Sequence, residues 1–307
     1  MKTTIRVVVI FLAVLSTHAG AQLSVTAVER LAFGGGTDWA YPRFSPDGSK
    51  LFVTSSSFDG IWEFPFATQK LRQITADRRA GYGIAFSPDG SQIAYRRTIT
   101  DVREGRRRQE VVVMDIRTGS AKVALAGEEV SVPAFSRGGA PYAVVQQSLK
   151  GTATLGPSDV AILGIENTRI ALQKGGEKIL LDPLGHGSYI WPSLAPDGTK
   201  IVACDITNGA FVCGLDGKIL VRLGKRDAPA WTRDGRWIVY MDDRDDGHRV
   251  TSSDLYAVSA EGKTTIRLTS TGNLIEMDPQ CSPTENTIAC STVDGAILLL
   301  RYKEDAR

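Results

Sequence analysis

The 307-residue sequence predicts an all-β fold, a six-bladed β-propeller. Three observations carry that reading. A Ser-Pro-Asp-Gly tetrapeptide recurs between apolar runs, its spacing is that of a propeller blade, and no helical periodicity of useful length interrupts it.

The tetrapeptide occurs as Ser-Pro-Asp-Gly at 45–48 and 87–90, Ala-Pro-Asp-Gly at 195–198 and Thr-Arg-Asp-Gly at 232–235. Degenerate copies, Ser-Arg-Gly-Gly at 136–139 and Ser-Pro-Thr-Glu at 282–285, bring the units to six. Five units also carry a proline three residues before the first position: Pro42, Pro133, Pro192, Pro229 and Pro279. The chemistry is that of a tight turn. Serine at the first position bonds the backbone two residues on, Pro fixes φ, Asp tolerates the third position and Gly accepts positive φ. Apolar flanks such as "YPRF" before and "KLFVTS" after make each copy the tip of a hairpin.

A third run follows each hairpin, as in "GIWEF" (60–64), "EVVVMDI" (110–116) and "SDLYAVS" (253–259). A fourth precedes the next unit: "KLRQIT" (70–75), "AKVALA" (121–126) and "TIRLTS" (265–270). Four short antiparallel strands in about 40–50 residues make one blade. The last unit has only three, and "VERLAF" (28–33) is expected to supply its fourth, closing the ring and leaving no free edge. The long third interval is expected to hold an insertion at "QSLKGTATLGPS" (147–158).

Residues 1–21 are read as an export signal. Lys2 and Arg6 precede the apolar "VVVIFLAVL" (7–15), and Ala19-Gly20-Ala21 supplies small residues for cleavage. That run is shorter than the roughly 20 residues a membrane helix needs. No cysteine beside the cleavage site calls for a lipid anchor. The expectation is a periplasmic or secreted protein whose single propeller domain is 22–307. The formal charge of +2 falls near zero once Lys2 and Arg6 are removed, which gives no case for nucleic acid or a membrane surface as partner.

Export permits disulfides. Cys204 and Cys213 flank "DITNGAFV", and a two-residue turn at Asn208-Gly209 would set them opposite one another. Cys281 and Cys290 share the same spacing around another turn, so two cross-strand disulfides are expected; four buried free thiols are the alternative.

The repeats resemble the TolB-like propeller family. One match is "PRFSPDGSKL" (42–51); another is "DDRDDGHRVTSSDLYAVSAEGKTTIRLT" (242–269), with Asp243-Arg244, Tyr256 and the closing Arg267-Leu268-Thr269 in the family's order. The resemblance spans 22–307 and lacks the α/β domain that precedes the propeller in TolB. It implies a non-catalytic protein-interaction platform in the bacterial envelope, binding an envelope protein or lipoprotein, as a monomer and without cofactor or metal. In 242–249 it implies a turn with an Asp–Arg pairing. Calcium is the weaker reading there, since EF-hand spacing fails.

In a propeller, the loops entering the innermost strands and those joining second to third strands share one mouth of the channel. The residues placed there are Trp39, Tyr41, Arg79, Tyr82, Glu129, His186, Tyr189, Trp191, Arg226, Glu276 and Asp278. Aromatics and arginines suit an interface because they give large area and directional bonds. The plainer reading is that the aromatics plug the channel and pack the blades. "REGRRRQ" (103–109) is either an anchor for an acidic partner or glycan, or a solvated loop. Nucleophile-elbow, zinc-protease and phosphate-loop motifs are absent. The alternatives are a glycan-binding propeller, or a metal-dependent lyase or lactonase using His186, Glu129, Glu276 and Asp278.

Overall fold

The computed structural model describes residues 23–31, 33, 36–100, 107–128, 130–135, 141–142, 160–175, 177–272 and 274–304. The expected export signal and the 147–158 insertion lie outside them. Every described element is a β-strand, and the strands form a six-bladed β-propeller.

Blade 1 pairs Trp39–Phe44, Lys50–Ser55, Ile61–Pro65 and Arg72–Thr75 in chain order, innermost strand first. Blade 2 repeats this with Ala85–Phe86, Gln92–Thr100, Arg107–Asp115 and Ala121–Gly127. Blade 3 shows the pair Ala134–Phe135 and Pro141–Tyr142, then a sheet of Val160–Glu166, Arg169–Lys174 and Glu177–Leu181. Blade 4 is Tyr189–Leu194, Lys200–Asp205, Gly209–Gly214 and Ile219–Gly224. Blade 5 is Asp227–Trp231, Trp237–Asp245, Val250–Ser259 and Thr265–Arg267. Blade 6 contributes Glu276–Cys281, Thr287–Thr292 and Ile297–Glu304, and Leu23–Leu31 completes it antiparallel to the last of these. The closing strand is the expected one, beginning earlier than its apolar pattern alone indicated.

The repeated turn shows why its residues recur. In the first copy Gly48 N–H donates to the Ser45 carbonyl at 2.9 Å, with Gly48 at φ +68°. The Ser45 hydroxyl accepts from Lys50 N–H at 3.0 Å and donates to Asp47 at 2.5 Å. Ser87 and Thr232 make the same pair of bonds. The hydroxyl thus ties the turn's carboxylate to the second strand, a longer reach than the local backbone bond expected.

Middle strands read as continuous apolar runs because both their faces are covered. Ile201, Val202 and Ala203 are consecutive and fully buried. The core is a set of seams between neighbouring blades. Ile170 and Leu172 of blade 3 pack on Ile201 and Phe211 of blade 4, while Val202 and Val212 pack on Ile238 and Val258 of blade 5. Leu31 and Leu299 meet Leu51 and Val53 where the ring closes. Each such side chain contributes about 1.5–3 kcal/mol by leaving water.

The cysteines overturn one expectation: all four are free. Asp205 Oδ1 accepts from Thr207 N–H, Asn208 N–H and Asn208 Nδ2, which makes a three-residue connection and pairs Asp205 with Gly209. Cys204 therefore faces Ala210 and Cys213 faces Ile201, and the two thiols point into different seams. Cys281 pairs with Ile288 and shares a seam with Cys290, but diagonally. Diagonal neighbours lie about 7–8 Å apart, beyond a disulfide's reach.

The innermost strands of blades 1, 4, 5 and 6 each carry a bulge at their proline. Register shifts fall between Ala40 and Arg43, Ile190 and Ser193, Asp227 and Ala230, and Met277 and Gln280. The residues preceding the prolines, Tyr41, Trp191, Ala228 and Asp278, have φ of 51°, 52°, 47° and 53°. A left-handed non-glycine residue costs roughly 1–3 kcal/mol, so the fold enforces this conformation at the wall of the channel.

Candidate binding site at the channel mouth

The bulges and the adjoining loops build an arc of aromatic and cationic side chains. The Tyr41 ring stacks on Phe58, from the second-to-third-strand loop of blade 1, at 4.3 Å. Phe58 meets the edge of Tyr82 at 5.1 Å, and the Arg96 guanidinium lies 5.4 Å over the Tyr82 ring. Arg96 also donates to the Val130 carbonyl at 2.5 Å, which carries the arc towards blade 3. At its other end, burial and the charge of Asp278 raise the pKa of Tyr41. Tyr82 is 47% exposed and presents a free face.

Beside this arc is a cavity of about 570 Å³. Arg96, Thr98 and Thr100 line it from the second strand of blade 2, with Arg107 and Gln109 from the third. Arg78, Arg79 and Tyr82 close it from the loop entering blade 2, Phe58 from blade 1, and Glu128 is the acid in its wall. Among the described residues, four arginines thus face one carboxylate. Among the described residues, none of the four is in an ion pair; Arg97 and Arg108, outside the lining, pair with Asp77 and Glu110. Burial lowers the pKa of Arg96, and the like charge of Arg79 lowers it further.

The other residues singled out from sequence divide. Trp39 is buried in the blade 6–blade 1 seam against Phe33 and Trp62, so it packs the fold. Tyr189 is likewise buried. Its hydroxyl donates to Asp182 at 2.8 Å and accepts from Leu184 N–H at 2.7 Å, and burial pushes its pKa up to about 12. His186 is exposed in the turn capped by Asp182. Trp191 is 42% exposed on its bulge. Glu129 lies outside the described residues.

Blades 5 and 6 hold acids in contrast. Arg226 lies 5.0 Å over Tyr240. Burial, then hydrogen bonding and charge from Asp243, push Asp227 up to about 6. Glu276 is fully buried, accepts from Thr271 at 2.7 Å, and is raised to about 7 by burial. Burial raises Asp278 to about 6 against the opposing charge of Arg43. The 242–249 stretch ends in the expected turn with an Asp–Arg pairing, made by Asp246 and Arg249 rather than by the Asp243-Arg244 dipeptide. Asp242 to Asp245 continue a strand, whose alternation sends neighbours to opposite faces, and the ion pairs are Arg249–Asp246 and Arg267–Asp254. No group of three or more His, Cys, Asp or Glu side chains is placed to share an ion among the described residues.

Sequence reasoning missed Phe58, Arg78, Arg96 and the cavity they help form. One signal was available: "QIAYRRTIT" (92–100) runs on past the six-residue second strands of blades 1, 4 and 6, placing Arg96, Thr98 and Thr100 on one face. The "REGRRRQ" run is likewise strand from Arg107 onward, and Arg107 faces the cavity.

No family model and no curated protein matches the sequence. Solved structures do. TolB from Acinetobacter baumannii matches with 18% identity and a TM-score of 0.50 over 81% of this chain; the match spans 61% of TolB's length. An oligogalacturonate lyase from Vibrio parahaemolyticus matches at 14% identity and a TM-score of 0.52, covering 90% of this chain and 80% of the lyase. The β-propeller domain of Cps50 (Swd1) from Myceliophteria thermophila matches at 10% identity and a TM-score of 0.61, covering 91% and 99%. These likenesses, with the closed ring of blades described above, give the chain a TolB-like six-bladed β-propeller fold.

Proposed function

We propose that the chain is a non-catalytic, exported binding platform that docks another protein of the bacterial envelope on its arginine-rich mouth. The observation that carries this reading is the arc from Tyr41 through Phe58 and Tyr82 to Arg96, with Tyr82 and Trp191 left exposed on the same face. Rigid aromatics beside arginines are the side chains that dominate interface energetics. The lattice of blades holds them in place before any partner arrives, which reduces the ordering cost of binding.

The test is quantitative crosslinking of purified protein to an envelope extract, read by mass spectrometry. Replacing Tyr82 and Trp191 together by Ala is expected to cut capture of the principal partner by about tenfold, with circular dichroism unchanged. Capture that survives the double substitution would move the site off the mouth.

A second reading, an enzyme acting on an anionic glycan, draws on the four-arginine cavity and on the lyase sharing this fold. It requires release of unsaturated uronides from oligogalacturonate that is abolished by a chelator or by His186→Ala.

A further inference from the structure

Blades 2 and 5 differ from blades 1, 4 and 6 at the mouth. The second strands of blades 1, 4 and 6 are six residues long, whereas Gln92–Thr100 and Trp237–Asp245 are nine. Their third-strand partners, Arg107–Asp115 and Val250–Ser259, are lengthened to match. At about 3.3 Å per residue, three extra residues raise each hairpin roughly 10 Å above those of blades 1, 4 and 6. Blades 2 and 5 are three places apart in a ring of six and so stand on opposite sides of the channel.

The two raised walls carry opposite charge. Blade 2 presents the cavity with Arg78, Arg79, Arg96 and Arg107 against Glu128. Blade 5 presents exposed Asp242, Asp245 and Asp246 and half-buried Asp243 against exposed Arg244 and Arg249; Asp246 is paired with Arg249, and strand alternation sets Asp242 and Asp245 on opposite faces of the raised hairpin. The nearby Lys225 ammonium is turned to the Asp243 carbonyl at 3.1 Å. Asp227 lies close enough to Asp243 for the two carboxyls to share a hydrogen bond.

From this geometry we infer that the mouth is a bipolar cradle for an extended segment of a partner polypeptide. Acidic side chains of the segment enter the blade 2 cavity, and basic side chains lie against the blade 5 hairpin. The inference rests on the platform reading and names the chemistry of its partner. A peptide can carry both signs along one strand. A polyuronate carries one sign, and the blade 5 carboxylates would repel the part of it that crosses the channel. In the cavity, the Arg96 and Arg79 guanidiniums offer forked donors to carboxylates, and Thr98, Thr100 and Gln109 offer neutral hydrogen-bonding groups.

Fluorescence anisotropy with labelled synthetic peptides tests it. One peptide joins a block of glutamates to a block of lysines through Gly-Ser spacers of graded length. A second has the same composition with the charges alternating. Trigalacturonate is the third probe, read by calorimetry. At one spacer length the block peptide is expected to bind at least about tenfold more tightly than the alternating one. Arg79→Glu with Arg107→Glu, and separately Asp242→Lys with Asp245→Lys, should each remove that advantage; both pairs are on the surface, and melting curves would verify that the variants remain folded. The preference should weaken as salt is raised, because exposed charges are screened within about 10 Å at 0.1 M. Equal affinity for the block and alternating peptides at every spacer overturns the proposal. So does tighter binding of trigalacturonate than of either peptide. If the order preference is absent while partner capture still depends on Tyr82 and Trp191, the bipolar cradle falls and the platform reading stands; if both fail, both readings fall.

Discussion

At the residue scale, Glu276 is the least comfortable carboxyl of the mouth. It is fully buried, with Oε1 bonded to Thr271 and Oε2 without a partner among the described residues. Burial raises its pKa from 4.5 to about 7, so between these values the folded chain retains a proton that the unfolded chain releases. Folding is therefore undisturbed by this group below pH 4.5 and is weakened progressively as pH rises from 4.5 to about 7, by on the order of 3 kcal/mol once the buried carboxylate has formed. Glu276→Gln is expected to raise the melting temperature by several degrees at pH 8 and to change it little at pH 5. A shift of equal size at both pH values would show that the charge is not the cause. The cysteines give a second test at this scale. Burial pushes Cys204, Cys213 and Cys281 up to about 12 and raises Cys290 well above the usual thiol value. The four thiols should resist iodoacetamide in the native protein and all react, without reductant, once it is unfolded. An intact mass showing fewer than four adducts after unfolding would reveal a disulfide.

At the scale of the element, the recurring turn is held by a few short bonds. Ser87 is buried, accepts from Gln92 N–H at 2.9 Å and donates to Asp89 at 2.6 Å. Ser87→Ala strands both partners and is expected to cost about 1–2 kcal/mol, seen as a lower denaturant midpoint with an unchanged slope. An unaltered midpoint would mean that proline and glycine suffice to hold the turn. These turns were legible in the sequence because their chemistry is confined to six consecutive residues. The blade 4 hairpin was not. Asn208-Gly209 signalled a two-residue turn, but Asp205 captures three donors and moves the pairing by enough to reverse which face each cysteine takes. Any odd shift in register exchanges the two faces of a strand, and here the partner of Cys204 moves by three, from Cys213 to Ala210, so one side-chain cap decided the disulfide question. The mouth was legible only in outline for a related reason. Sequence position identifies which loops reach it, but Phe58 of blade 1 meets Tyr82 at blade 2 through blade packing, which no single repeat encodes. Trp39 and Tyr189 have the same residue types as Tyr41 and Trp191, and only their place relative to the bulge separates packing from exposure.

At the scale of the whole molecule, stability depends on ring closure. A propeller blade buries its middle strands only while neighbours cover both faces, and blade 6 is built from both ends of the described chain. Leu23–Leu31 hydrogen-bonds along Ile297–Glu304, Leu23 enters the blade 5–blade 6 seam, and Leu31 enters the seam with blade 1. Removing this strand exposes the apolar edge Ile297, Leu298, Leu299 and Leu300 and loosens two of the seams at once. An uncovered apolar edge also offers a template for pairing between molecules. Deletion of residues 23–31 is therefore expected to lower the melting temperature by more than ten degrees and to drive aggregation. Leu23→Asp should reproduce part of the loss by burying an unpaired charge, at several kcal/mol. If the deletion variant stayed monomeric and melted like the full-length chain, blade 6 would be held by its own three strands, and the seams rather than the closing strand would keep the ring shut. The bipolar mouth adds a functional readout. The walls of blades 2 and 5 face each other only in a closed ring, so the deletion should abolish any preference for block-charged peptides even under conditions where the remaining blades stay folded.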